Sequence, residues 1–208
     1  MSKKAAYSAI VLAGGQSSRM GRPKAELPFG AATMLDFVVA EMMRVFDELV
    51  VALAKPRHYA WETFLSRAIV DDEPGQGPVT ALAQALREIR YERAFVCSCD
   101  VPFVDGNLAR KLCEMLGDND DGLIPNVGGK LQMLHGVYRK TCVEALATMR
   151  TAGEHRLHRI VNFAKVRIIS EEEIRALDPD PALLSFFNVN TPEDYERALA
   201  LLDEKYKM

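Results

Sequence analysis

Three charged side chains, Arg19, Lys24 and Asp100, stand shortly after apolar runs that read as buried strands. The first two belong to the stretch IVLAGGQSSRMGRPK, from Ile10 to Lys24. An apolar run (Ile10, Val11, Leu12) stops at Ala13-Gly14-Gly15, and small polar residues follow. A buried strand that empties into such a turn exposes backbone N–H groups, and glycine lets that backbone approach a ligand closely. Arg19 and Lys24 add two cations, and no acidic residue lies between Leu12 and Ala25. Donors and cations without competing carboxylates describe a site for phosphate oxygens. The spacing is neither GxGxxG nor GxxxxGK[ST], since the glycines stand at 14, 15 and 21 and Lys24 precedes Ala25.

Asp100 lies in Cys99-Asp100-Val101-Pro102-Phe103, directly after an apolar run from Ala94 to Cys97. A carboxylate at the C-terminal end of a central strand projects toward the ligand crevice of an open sheet. It is suited to Mg²⁺, which needs few protein ligands when phosphates supply the rest. Asp71-Asp72 ends another short apolar run and leads through Gly77-Pro78 into a helix. That pair reads equally as a solvated turn or as a carboxylate contacting a base edge or sugar hydroxyls. Glu154-His155-Arg156-Leu157-His158-Arg159 reads either as a basic solvated face or as a clamp for an anionic second substrate. Zinc at His155 and His158, three apart on an expected helix, lacks further ligands nearby. Thr191-Pro192-Glu193-Asp194 is explained as a helix start, but Asn188 and Asn190 are not, and two alternating amides suit hydrogen bonding to a ligand. His135 reads as a structural residue.

The string LAGGQSSRMGRPK resembles the signature loop of nucleotidyltransferases of the molybdenum cofactor guanylyltransferase type. DDEPGQGP, CDVPF and FNVNTPED resemble further segments of that family and occur here in the family's order, so the resemblance spans nearly the whole chain. It implies transfer of GMP from GTP to the terminal phosphate of molybdopterin, with release of pyrophosphate and Mg²⁺ as cofactor. Carried over residue by residue, it implies that Gly14, Gly15, Arg19 and Lys24 hold the triphosphate and that Asp100 holds the metal. It also implies that Asp72, the Leu12-Ala13-Gly14 backbone and the Gly77 turn meet base or ribose. Arg156, Asn188 and Asn190 fall to the pterin side or the metal's outer shell. The LAGG form resembles the GTP-using branch, while LAAG resembles the CTP-using one. Two positions depart from the family: Thr80-Ala81 where another glycine is common, and Ala52 where some relatives have an asparagine. Alternatives are a sibling transferase using CTP or another phosphorylated acceptor, and a non-catalytic GTP-binding subunit.

These residues need strands that end at one edge. The pattern predicts strands over 48–54, 68–70, 94–97, 123–125, 131–138 and 166–169, and a short one at Phe186–Asn190. Helices are expected over 33–44, 56–67, 79–90, 107–116, 140–151 and 171–177, with a last one after Thr191. Near-continuous apolar strands belong in a sheet covered on both faces. The expected fold is a three-layer α/β/α sandwich whose doubly wound sheet is mostly parallel, with one antiparallel strand from the hairpin around Gly128-Gly129. The resemblance implies a nucleotide-diphospho-sugar transferase-like version of it, with 1–208 as one domain.

The chain has 208 residues, 49% hydrophobic and 26% charged, with a net charge of -3. That balance gives no basic footprint for nucleic acid. No apolar run approaches the roughly 20 residues of a spanning helix, and no signal peptide is read, so a cytoplasmic location is expected. Cys97, Cys99, Cys113 and Cys142 lack a CxxC spacing and read as buried thiols. A monomer or weak homo-oligomer is expected, with transient partner proteins delivering or receiving the cofactor.

Overall fold

A computed structural model describes residues 6–14, 23–56, 59, 61–63, 66–72 and 77–206. The strands are β1 (Ser8–Ala13), β2 (Pro28–Phe29), β3 (Ala32–Thr33), β4 (Glu48–Leu53), β5 (Ser66–Val70), β6 (Arg93–Ser98), β7 (Gly122–Val127), β8 (Lys130–Leu131), β9 (His135–Arg139) and β10 (Val166–Ile169). The helices are α1 (Met34–Val45), α2 (Pro78–Glu88), α3 (Gly106–Met115), α4 (Cys142–Thr151), α5 (Glu171–Leu177) and α6 (Pro192–Tyr206). The main sheet runs β10-β7-β9-β6-β1-β4-β5, with β8 paired to β7. β9 is antiparallel to both its neighbours, β6 and β7, while the pairs β1–β4, β1–β6, β4–β5 and β7–β10 are parallel. This is the mostly parallel α/β sandwich the sequence implies, and the strand expected over 131–138 is divided by a turn at Met133-Leu134 into β8 and β9, both antiparallel to β7.

Alternation along the strands divides the core between two faces. Ala9, Val11, Leu49, Val51, Phe95 and Cys97 pack on the side of α1 and α3. Ile10, Leu12, Val50, Ala52, Ala94 and Val96 pack on the side of α2 and α4. Ala52, the position that departs from the family, is thus buried among apolar side chains. A third cluster joins Phe29, Met34, Phe103, Val189 and Leu202, seating α6 on the small β2–β3 hairpin.

Local signals set most boundaries. Thr33 caps α1 in a reciprocal capping box with Asp36, and Ser170 does the same for α5 with Glu173. Thr191 accepts from the Asp194 backbone at 3.2 Å and starts α6.

Three expectations are corrected. The segment expected as a helix over 56–67 has Ser66 and Arg67 in β5, while Trp61 lies in a turn closed by Glu62 N donating to Tyr59 O. Its remaining residues 57, 58, 60, 64 and 65 lie outside the described residues. His155 and His158 do not share a helix: Gly153 turns the chain at φ 70°, and a 3-10 helix begins only at Leu157. Phe186–Asn190 is not a strand. Leu184–Phe186 form a 3-10 turn, and the segment crosses the strand ends with Val189 N donating to Asp100 O at 2.8 Å. One such bond fixes the segment without adding it to the sheet.

Candidate active site

The C-terminal ends of β1 and β6 lie side by side, with Leu12 paired to Ser98. Cys99 N donates to Leu12 O at 3.1 Å, which carries the pairing one residue beyond β6 and delivers Asp100 to the sheet's edge. Around it opens a cleft of about 570 Å³ lined by Leu12, Ala13, Gly14, Lys24, Asp71, Gly77, Asp100 and Asn188, with Pro78, Ala81 and Leu134 adding apolar surface. The cleft is therefore built from the strand-end loops in which the sequence concentrates its polar residues, as expected at the carboxyl edge of an open α/β sheet.

Lys24 lies on a single 3-10 turn, Lys24–Glu26. Its ammonium reaches Asp100 Oδ2 at 2.9 Å and Asn190 Oδ1 at 2.8 Å. The Ser98 hydroxyl donates to the other carboxylate oxygen, Oδ1. Side chains of Lys24 and Asp100 each retain 18% exposure, so the pair is half-sheltered but reachable. Asn190 is fixed from behind, since its backbone N donates to Asp194 Oδ2 at 3.0 Å. That bond is the foremost reason the Asp194 carboxyl sits below the usual carboxylate range. Asn188 turns one amide hydrogen to Phe186 O at 3.0 Å and lines the cleft.

Two glycines shape the walls. A Cβ on Gly14 would stand 3.3 Å from Ala54 N, so the β1 exit runs close against the β4 exit. Gly77 precedes α2 at φ 83° and ψ -178°, a conformation essentially restricted to glycine. It presents the N-terminal end of α2, where unpaired N–H groups favour anions.

The acidic pair resolves unevenly. Asp71 is buried at 6% exposure and lines the cleft. Asp72 is exposed, and its backbone N donates to Gln84 Oε1 at 3.1 Å. Arg156 is also exposed, with its guanidinium engaged twice by Glu154 at 2.8 and 2.7 Å. Those bonds hold the Glu154 carboxyl down at about 2. The neighbouring His155 carbonyl lies 3.9 Å from where a Gly77 Cβ would stand, so this turn borders the cleft at Gly77. Gly15 and Arg19 lie outside the described residues. Sequence reasoning passed over Ser98, although it stands two residues before Asp100 and hence on the same face of the extended chain.

All four cysteines are free and buried. Burial, aided by the Asp100 carboxylate, pushes the Cys99 thiol up to about 12, so it is no nucleophile at neutral pH. His135, between the Phe95 and Phe186 rings, is pushed down to about 3 by burial and stays neutral. Among the described residues no group of three or more His, Cys, Asp or Glu side chains could hold a metal. The oxygen donors at the strand end nonetheless suit a hard cation partly coordinated by phosphates, and the Lys24 ammonium already occupies a cation position on Asp100.

A family model described as the MobA-like NTP transferase domain matches residues 9–168. The chain belongs to this family. It is 31% identical over 199 residues to the molybdenum cofactor guanylyltransferase of Desulfosudis oleivorans, covering 95% of this chain and 96% of that protein. The structure of molybdopterin-guanine dinucleotide biosynthesis protein A from Archaeoglobus fulgidus superposes with a TM-score of 0.79 at 24% identity, covering 97% of this chain and 100% of that one. A Mycobacterium tuberculosis protein solved in complex with manganese shares the fold at a TM-score of 0.61 and 19% identity, covering 94% of this chain and 99% of that one. As a member of an NTP transferase family the chain is a nucleotidyltransferase.

Proposed function

We propose that this nucleotidyltransferase moves GMP from GTP to the terminal phosphate of molybdopterin. The observation that carries the reading is the Lys24–Asp100–Asn190 constellation at the mouth of a strand-end cleft. A terminal phosphate oxygen of molybdopterin forms the new bond to the α-phosphorus. The bond from that phosphorus to the β-phosphate oxygen breaks, and pyrophosphate leaves with the electron pair. The nucleophile is already an anion, so no side chain need remove a proton from it. Catalysis then rests on alignment and on neutralising charge.

The Gly14 and Gly15 backbone, Arg19 and Lys24 hold the triphosphate. Asp71, rather than the exposed Asp72, meets the base or ribose, together with the Leu12-Ala13-Gly14 backbone and the Gly77 turn. Asn188 and Asn190 face the pterin side or the metal's outer shell, and Arg156 meets the acceptor's anionic end after exchanging Glu154 for it. Asp100 is the metal ligand. The divalent cation of this reaction is Mg²⁺, which when bound neutralises phosphate oxygens as charge develops on the leaving group. The residues 1–208 act as one domain, a cytoplasmic monomer or weak homo-oligomer that meets partner proteins transiently. No helix among the described residues is long and apolar enough to cross a membrane.

Pyrophosphate release with Mg²⁺ and molybdopterin, compared across GTP, CTP, ATP and UTP, tests the reading. Release with GTP alone is expected. Release with CTP instead overturns the base assignment, and silence with all four despite GTP binding overturns the transfer reaction.

A further inference from the structure

Both oxygens of the Asp100 carboxylate are occupied by protein donors: Oδ1 by the Ser98 hydroxyl and Oδ2 by the Lys24 ammonium. The second donor is itself a cation, so it takes one acceptor direction of Oδ2 and repels a divalent ion approaching that oxygen. Asn190 holds it there, accepting from Lys24 at 2.8 Å. The hold is rigid because the Asn190 segment is anchored on both sides. Val189 N donates to the Asp100 carbonyl at 2.8 Å, and the Asp194 carboxylate accepts from the backbones of Asn190 and Thr191 at 3.0 and 2.9 Å. Backbone and side chain of Asp100 are thus tied to the same short stretch of chain, with Lys24 closing the triangle.

We propose that Asn190 is a positioning residue that parks Lys24 on Asp100 and makes cation binding conditional on nucleotide. The inference rests on reading Asp100 as the cation ligand and Lys24 as a phosphate-binding cation. Without nucleotide, an incoming divalent ion meets an ammonium held on Asp100 by acceptors that include Asn190, and is repelled by it. A triphosphate offers Lys24 several oxyanions in place of one carboxylate oxygen. Once it draws the lysine away, Oδ2 opens, and the phosphates supply the ligands that a single carboxylate lacks. Because coupling between two ligands is reciprocal, the cation strengthens nucleotide binding by the same factor by which nucleotide strengthens cation binding. The device keeps the site from holding a metal with nothing to act on.

Mn²⁺ binding to the full chain without nucleotide, followed by loss of the free-ion electron paramagnetic resonance signal, tests this apart from activity. Lys24→Met is expected to tighten Mn²⁺ binding at least about tenfold, and Asn190→Ala to tighten it by a smaller factor. The gain is expected to vanish in the double variant Lys24→Met/Asp100→Asn. Unchanged Mn²⁺ affinity in either single variant overturns the proposal, as does a gain that survives Asp100→Asn. Circular dichroism confirms folding, and Asn190→Ser replaces Asn190→Ala if the latter does not fold. Mn²⁺ binding is measured independently of pyrophosphate release, so failure of the transfer reaction and failure of this coupling are distinguishable.

Discussion

Asp71 and Asp72 are adjacent in sequence and opposite in circumstance. Asp71 lies against the cleft, and Asp72 faces solvent. Side chains alternate along extended chain, so a one-residue difference in where β5 ends exchanges which carboxylate meets the ligand. The sequence shows the pair but not that end point. Asp71→Asn is expected to weaken GTP binding about tenfold, the worth of one charge-assisted hydrogen bond, and Asp72→Asn by less than about twofold. Equilibrium titration with a fluorescent GTP analogue decides between them. Lys24, Asp100 and Asn190 were readable one by one from their motifs, whereas their mutual contact links residues far apart in the chain and needed the fold. His135 allows a prediction about pH. Its folded pKa, about 3, lies below the ordinary value of 6.5, so the unfolded chain binds the extra proton. The stability from this neutral histidine is complete above pH 6.5 and is lost as pH falls toward 3. Between pH 7.5 and pH 5 the loss is about 2 kcal/mol. Urea unfolding of the wild type and of His135→Asn should differ by that amount in their pH dependence.

At the scale of elements, caps set where helices begin. Thr33, Ser170 and Thr191 each stand one residue before a helix and accept from the third residue on. The misread segments had alternating or apolar residues but no neighbour to complete them. Phe186–Asn190 has the alternation of a strand, yet it crosses the sheet's end, where no strand edge runs alongside it. In the Trp61 segment aromatic residues stack on each other, Tyr59 on Trp61 at 4.7 Å, and none of its described residues is helical. Gly77 couples an element to the cleft. Gly77→Ala is expected to cost about 1–3 kcal/mol, because its conformation excludes a Cβ, and to weaken nucleotide binding by shifting the start of α2. Thermal unfolding and the same GTP titration measure both effects.

Across the molecule the two edges of the parallel strands divide their tasks. The carboxyl edge holds the cleft, and the opposite edge is tied by Glu48, whose side chain is 1% exposed. Glu48 accepts from the Ser8 hydroxyl at 2.6 Å, the Arg90 backbone at 2.7 Å and Arg67 at 2.9 Å, linking the starts of β1, β4 and β5 to the end of α2. Burial opposes ionisation, yet these bonds leave its carboxyl below the usual range. Glu48→Ala leaves Arg67 without its buried partner and is expected to lower stability by about 3 kcal/mol, read by urea unfolding, with the cleft's ligand affinity preserved in the folded fraction. The layered sheet was legible because its strands are near-continuous apolar runs. The Glu48 tie was not, since a single glutamate at a strand's start looks like any surface charge.

The order in which this chain leaves the ribosome gives the Val189–Asp100 bond a further meaning. Every strand of the sheet is complete by Ile169, but Asn188 and Asn190 come about twenty residues later. A nascent chain can therefore assemble its whole sheet, and with it Asp100 and Lys24, while the amides that finish the site are still inside the exit tunnel. Completion of the site is thus a late event of synthesis, reached only when the last segment docks onto a sheet that already stands.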